Sequence, residues 1–336
     1  MIKDKVILIT GGTGFLGRNL TKEILKHKPK SIRIFSRDEV KHHLVEEEFK
    51  HDKRIRNLVG NVRDLPRLKK ACKGVDIVIH AAALKRLDMI EYNVEESIKT
   101  NIQGTLNVVE ACLDANVETA VFTSTDKACS PVNTYGACKF VGERIFTESN
   151  YNKGKVKTKF VCVRYGNVLK STGSVIPFFE KKIMRGEKIP LTDERMTRFI
   201  ISSEQAVQLI FNAIEYGIGG EIFVPRLPAF KITNLVEVLK EKHDADNEIE
   251  IIGIRPGEKI HEVMINKAEI PRTYKFKDMH VITSSIQDYQ KWIKNKPKYV
   301  KESNLLKEED MKNYSSKDNV ISKEELEKLF KKLNLI

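Results

Sequence analysis

A doubly wound parallel α/β sheet followed by a smaller, less regular domain is the fold class that the sequence predicts, on two observations. Short apolar, β-branched runs alternate with longer amphipathic stretches through the first half, and beyond about residue 170 that alternation weakens. Strands are expected at 6–10, 32–36, 58–60, 77–80, 120–123 and 160–165, with helices at 15–27, 94–115 and 135–148. Pro177, Pro190, Pro225, Pro228 and Pro256 then punctuate shorter elements. The expected division is a first domain over 1–170, with a segment near 200–225 returning to its sheet, and a second, mainly substrate-binding domain with a C-terminal helix over 171–336.

The chain has 336 residues, 41% hydrophobic and 31% charged, enough for a sizeable buried core. No stretch approaches the length of a membrane span, and the opening residues turn polar too soon for a secretory signal, so a cytoplasmic protein without a membrane partner is expected. Cys72, Cys112, Cys129, Cys138 and Cys162 are odd in number and scattered, without a C-x-x-C pair. They read as buried thiols, with neither a disulfide framework nor a bound metal expected. The net charge of +13 is spread along the chain among 46 acidic residues, whereas a nucleic-acid face needs a cluster or stripe. Nucleic acid is therefore not an expected partner, although the excess charge favours an anionic small molecule. The polar stretch 291–316 reads as irregular, and Ser322-Lys-Glu-Glu325 as a capping box opening a last helix with Leu326, Leu329, Phe330 and Leu333 on its apolar face.

Directly after the first strand comes Gly11-Gly-Thr-Gly14-Phe-Leu-Gly17. Gly11 permits the turn, Gly14 a close approach of backbone to a pyrophosphate at the helix N-terminus, and Gly17 tight packing of helix on sheet. Between a strand and a helix, this pattern marks a Rossmann-type dinucleotide site lined by Gly11, Thr13, Gly14, Phe15, Leu16 and Gly17. The second strand ends in Phe35-Ser36-Arg37-Asp38, where an NAD site places a carboxylate for the ribose hydroxyls. Ser36 and Arg37, with Lys41 one turn on, suit the additional 2′-phosphate of NADP. The alternative is a surface arginine beside an Asp38 that still serves NAD.

The fifth strand runs into Ser124-Thr125-Asp126-Lys127, and the next helix opens with Tyr135-Gly-Ala-Cys-Lys139. Four-residue spacing puts Tyr135 and Lys139 on one helix face, so that the ammonium can lower the pKa of the phenol and bind a nicotinamide ribose. Together with the glycines and the Thr125 hydroxyl, these residues resemble the extended short-chain dehydrogenase/reductase family. Asp126 and Lys127 narrow the resemblance. Glucose-type 4,6-dehydratases of this family read Thr-Asp-Glu here, and Thr-Asp-Lys is similar to the inverting UDP-N-acetylglucosamine 4,6-dehydratases of surface-glycan pathways.

Further motifs that carry the resemblance are Ile34-Phe-Ser-Arg-Asp38, Gly60-Asn-Val-Arg-Asp64, His80-Ala-Ala-Ala-Leu-Lys85, Lys99-Thr-Asn101, Arg164-Tyr-Gly-Asn167, Met196-Thr-Arg-Phe199 and Arg255-Pro-Gly-Glu-Lys259. The resemblance implies that Asn61 and Val62 lie near the adenine and that Ala81, Lys85 and Asn101 lie beside the cofactor. It also implies that Lys85, Asn167, Val168, Arg198, Arg255 and Glu258 hold UDP-N-acetylglucosamine. Departures from the pattern are Asn61 for an aspartate, Phe15 for a small serine, and Lys85-Arg-Leu-Asp88 where Lys-His-Val-Pro is common.

The chemistry so implied is redox-neutral. Tyr135 takes the 4-hydroxyl proton while C4 yields a hydride, Thr125 orients that hydroxyl, Lys127 in neutral form removes the C5 proton, and Asp126 protonates the departing 6-hydroxyl. The resemblance further implies a homo-oligomer, a dimer or hexamer. Two other readings stay open: a UDP-hexose 4-epimerase or reductase that needs only Thr125, Tyr135 and Lys139, with Asp126 and Lys127 a loop ion pair, and a cofactor-sensing regulator on the same scaffold.

Overall fold

The computed structural model describes residues 1–169, 175–286, 297–307 and 313–333, with 294, 309 and 335. Its centre is a sheet whose first six strands are β1 (Val6–Thr10), β2 (Ser31–Ser36), β3 (Ile55–Val59), β4 (Ile77–His80), β5 (Thr119–Thr125) and β6 (Lys159–Tyr165). They lie parallel in the order β3-β2-β1-β4-β5-β6. Every residue of β4 and β5 is buried, because helices cover both faces of a parallel sheet, and this is why these strands read as continuous apolar runs. The helix Phe15–Lys26 turns Leu20 and Ile24 onto the sheet, against a core that includes Ile7, Leu8, Ile9, Phe122 and Phe160.

Strand order reverses between β1 and β4, and a doubly wound sheet binds ligands at that reversal, in the crevice beyond the carboxyl ends of its strands. Ile222–Pro225 adds a parallel strand beside β6. The sheet then continues, beyond what the periodicity suggests, through antiparallel strands at Met279–Ile282, Thr273–Phe276 and Asn304–Leu305. The stretch from residue 291 lies partly outside the described residues. Its described part is not wholly irregular, since Lys298–Lys301 is helical and Asn304–Leu305 forms the sheet edge.

A second core joins Leu169, Ile176, Phe179, Leu235, Leu239, Leu326 and Phe330, drawn from the helices Val175–Met184, Ile232–Lys242 and Lys323–Lys332. Ser322 caps the last of these in a capping box with Glu325. The helix expected over 94–115 is interrupted: a wide π-type turn at Ile98–Gln103 separates Val94–Ser97 from Gly104–Asp114. Such widened turns recur at functional sites, and this one carries Asn101. Among the described residues no helix is long and apolar enough to cross a membrane.

Candidate active site

The glycine turn is built as its spacing demands. Gly11 has φ +70°, its N–H donates to the Phe35 carbonyl at 2.8 Å, and a Cβ there would stand 2.8 Å from the Ala82 backbone. Both the backbone conformation and the packing on the loop after β4 therefore require glycine. A Cβ on Gly17 would run into Gly12, so the helix start sits directly on the turn. Gly14 is exposed and no side chain caps the first-turn N–H groups beyond it, which leaves a helix N-terminus suited to an anionic group. Phe15 and Leu16 flank it half-buried, and the Thr13 hydroxyl donates to Ser36 Oγ at 2.8 Å, tying the turn to the end of β2.

At the end of β2 the three cations and anions divide their roles. Asp38 caps the helix Glu39–Glu48 by accepting from Lys41 N at 3.1 Å, and it pairs with Lys41 Nζ at 3.3 Å. The hydrogen bond from the Lys41 backbone lowers the Asp38 pKa. Arg37 is exposed and has no hydrogen-bond or ion-pair partner among the described residues. Asn61 accepts from Arg63 N at 3.1 Å, and Val62 is buried beneath Gly104, where a Cβ would meet its Cγ2 at 2.7 Å.

Asn101 sits in the π-type turn. Its side chain is buried and engaged with the loop after β4, Oδ1 accepting from Leu84 N at 2.8 Å and Nδ2 donating to Leu84 O at 2.9 Å. It therefore pins the segment that carries Ala81 and Lys85 rather than offering free polar atoms. Lys85 projects from that segment without a hydrogen bond, and desolvation by its surroundings lowers its ammonium pKa.

The proton-transfer groups gather at the end of β5. A short turn at Asp126–Ala128 follows the strand, and the helix Thr134–Asn152 packs back on it because Gly136 has no Cβ to strike the Lys127 carbonyl. Asp126 is fully buried. Its Oδ1 accepts from the Thr125 hydroxyl at 2.8 Å and from Lys127 Nζ at 3.1 Å, and its Oδ2 has no partner among the described residues. Glu262, which the sequence reading missed, brings Oε1 to 3.3 Å from the same Lys127 Nζ. Burial by itself would lower the Lys127 pKa, but the two carboxylates outweigh it and raise the ammonium pKa, against repulsion from Arg198. Lys127 thus rests as a cation, whereas the implied chemistry needs it neutral.

Tyr135 and Lys139 share a helix face but do not interact as expected. The Lys139 ammonium is buried, donates to the Thr123 carbonyl at 2.7 Å and lies 4.4 Å from the centre of the Phe122 ring. Burial pulls its pKa down to about 8. Burial pushes the Tyr135 phenol up to about 12, and the cation that opposes this is Lys127 rather than Lys139. The Tyr135 hydroxyl has no hydrogen-bond partner among the described residues.

The Arg255-Pro-Gly-Glu-Lys259 loop docks on this centre. Lys259 Nζ donates to the Cys129 carbonyl at 2.8 Å, and the Asn133 amide, from the cap of the Tyr135 helix, donates to the Gly257 carbonyl at 2.8 Å. Arg255 is exposed and unpaired among the described residues, and Glu258 Oε2 is buried without a partner. Asn167–Val168 pairs with Thr197–Ile201, and Arg198 on the latter donates to the Ile260 carbonyl at 3.0 Å. The loop carrying Arg255 and Glu258 and the strand carrying Arg198 are thus tied to one another through Ile260 and to the turn after β5 through Cys129. Behind them Arg164, also missed as a structural centre, is buried between Glu143 and Glu269 with four contacts of 2.7–2.9 Å to their carboxylates. The signal for Glu262 was a lone acid within the apolar run Ile260-His-Glu-Val-Met-Ile265.

Residues 7–284 match the polysaccharide biosynthesis protein family. The inverting UDP-N-acetylglucosamine 4,6-dehydratase of Campylobacter jejuni (strain 81-176) is 46% identical over 289 residues, 85% of each chain. A protein named UDP-glucose 4-epimerase from Rickettsia massiliae is 37% identical over 86% of this chain and 85% of its own. The X-ray structure of Pen from Bacillus thuringiensis superimposes with a TM-score of 0.92 at 39% identity, covering 100% of both chains. By these matches the chain belongs to the polysaccharide biosynthesis protein family, within the extended short-chain dehydrogenases/reductases.

Proposed function

We propose that this chain is a UDP-N-acetylglucosamine 4,6-dehydratase, a carbon–oxygen lyase that works with a bound NADP. The observation that carries the reading is the buried Asp126–Lys127 pair beside Tyr135, an acid and a base additional to what a hydride transfer needs. The 46% identity to the Campylobacter dehydratase supports it.

The residues present fit a nicotinamide dinucleotide. The open helix N-terminus at Gly14 suits its pyrophosphate, and unpaired Arg37 with Ser36 suits a 2′-phosphate. Asn61 and Val62 would lie along the adenine, and Ala81, Asn101 and Lys139 toward the nicotinamide end. When bound, such a group would supply hydride chemistry, uptake at sugar C4 and return at C6. Tyr135 takes the proton of the 4-hydroxyl, which Thr125 orients.

The 4-ketone then acidifies the C5 proton. In the resting ion pair a proton shift from Lys127 to Asp126 across 3.1 Å produces a neutral amine and a carboxylic acid together. Lys127 removes the C5 proton as Asp126 gives its own to the departing 6-hydroxyl, and water leaves. C5 is then reprotonated, with inversion when the proton arrives on the face opposite Lys127. Arg198, Arg255, Glu258, Asn167, Val168 and Lys85 hold the uridine diphosphate and sugar. The protein self-associates in this reading, through a segment that exposes Tyr92 (91%) in a turn and Val94, Ile98 and Leu106 on the helices that follow.

Epimerisation is the second reading, favoured by the epimerase name of the Rickettsia relative. Incubation with UDP-N-acetylglucosamine without added reductant separates the two. Loss of one water by mass, with deuterium at C5 when run in deuterated water, is expected, and an isomer of unchanged mass overturns the dehydratase reading. Tyr135→Phe should lower turnover by roughly 10²–10⁴-fold while NADP still binds.

A further inference from the structure

The Asp126–Lys127 turn is not a self-contained acid–base pair. Glu262 enters it from 135 residues further along the chain, with its backbone N–H donated to Ser316 Oγ at 2.9 Å and its neighbour Val263 paired to Ser315 across two antiparallel strands. It is 2% exposed, and it places one oxygen on the lysine while the other has no partner. Asp126 is arranged in the same way. Two buried carboxylates thus flank one ammonium, and the other charged or titratable groups facing Lys127 are Arg198, from its strand, and Tyr135, from its helix. His261 is turned away, its Nδ1 bonded to Thr197 Oγ1 at 2.9 Å. A buried carboxylate whose one ion pair among the described residues is to the reacting lysine, and whose second oxygen is unpartnered, is placed to act through that lysine.

We propose that Glu262 is a positioning residue for the dehydration step, holding one Lys127 N–H so that another is aligned on Asp126 and the amine lone pair, once formed, faces the sugar. The proposal rests on the dehydratase reading. Glu262 remains a carboxylate throughout. One proton moves from Lys127 to Asp126, and the C5 proton moves to Lys127. The C5–H electron pair forms the C5–C6 double bond as the C6–O bond breaks, and the Asp126 proton leaves with the hydroxyl as water. Asp126 and Lys127 are then back in their starting charge states.

Glu262→Gln keeps the shape and removes the charge, and Glu262→Asp keeps the charge and shortens the reach. In both, reduction of the bound cofactor on mixing with UDP-N-acetylglucosamine should fall less than elimination does, because Tyr135 and not Lys127 takes the 4-hydroxyl proton. Water loss and C5 deuterium incorporation should fall by roughly tenfold or more in both, so that 4-keto sugar accumulates. In Glu262→Gln the alkaline limb of the elimination rate should also move down by about one pH unit or more, since an anion beside the lysine is gone, whereas Glu262→Asp should keep the limb. Unchanged elimination rate in Glu262→Asp, or an unchanged rate and pH limb in Glu262→Gln, overturns the proposal. Failure of the unsubstituted enzyme to release water would instead bring down the activity reading itself. Should Glu262→Gln not fold, the rate in Glu262→Asp still decides.

Discussion

Lys139 should make the cofactor-free protein measurably more stable as pH rises. Its ammonium is 3% exposed and its pKa is drawn down to about 8 from 10.5, by burial that the Thr123 carbonyl and the Phe122 face do not offset. Between those values the unfolded chain binds more protons at this site than the folded chain, so stability increases with pH there. The stabilisation from the depressed pKa is complete above about 10.5 and lost as pH falls through about 8. Integrating the linkage gives roughly 2 kcal/mol between about pH 7.5 and 9.5, and about 3 kcal/mol over the whole interval. Other groups titrate in the same range, so the difference between the native protein and Lys139→Met isolates the term. Urea unfolding at several pH values, on protein stripped of nucleotide, should show the native protein gaining that amount relative to the variant. A difference that stays flat with pH would refute the assignment of a depressed pKa to this lysine.

Gly11→Ala should cost about 1–3 kcal/mol and abolish nucleotide binding, because φ is +70° and the new methyl would meet the Ala82 backbone; calorimetry and nucleotide titration read both. Arg164→Met should cost about 3–5 kcal/mol in urea unfolding, since it leaves Glu143 and Glu269 buried without their shared cation. A loss well under 1 kcal/mol would mean that the two carboxylates tolerate each other. Arg37→Ala should weaken NADP by roughly 10–100-fold while changing NAD little, as measured by paired titrations.

Local periodicity made most of the sheet legible. β1 and β4 have the expected ends, and β2, β5 and β6 differ by one or two residues, because strands buried on both faces read as unbroken apolar runs between turn signals. The glycine turn was legible for the same reason, since φ and close packing restrict those positions to one residue type. The break at Ile98–Gln103 was not: it carries Asn101, whose side chain reaches across to Leu84, a contact that helix periodicity does not encode. Helix spacing likewise put Tyr135 and Lys139 on one face but said nothing of where a four-carbon stem would reach, and Lys139 reaches the Thr123 carbonyl. Glu262 and the Arg164 cluster lie further out of view still. Each depends on residues more than a hundred positions apart, and only the folded sheet brings them together.

That long-range carboxylate bears on why lysine can stand where related glucose-type dehydratases have glutamate. An acid–base pair of aspartic acid and glutamate carries a net charge of about −1 with one mobile proton. Asp126 with Lys127 alone would be neutral overall. With Glu262 counted, the buried group again carries one excess negative charge and one proton able to move between acid and base. In this chain the carboxylate beside Asp126 and Lys127 is thus Glu262. In the proposed mechanism the proton shift between the two groups spans only 3.1 Å, and Glu262, which favours the charged lysine, opposes that shift while it orients the amine.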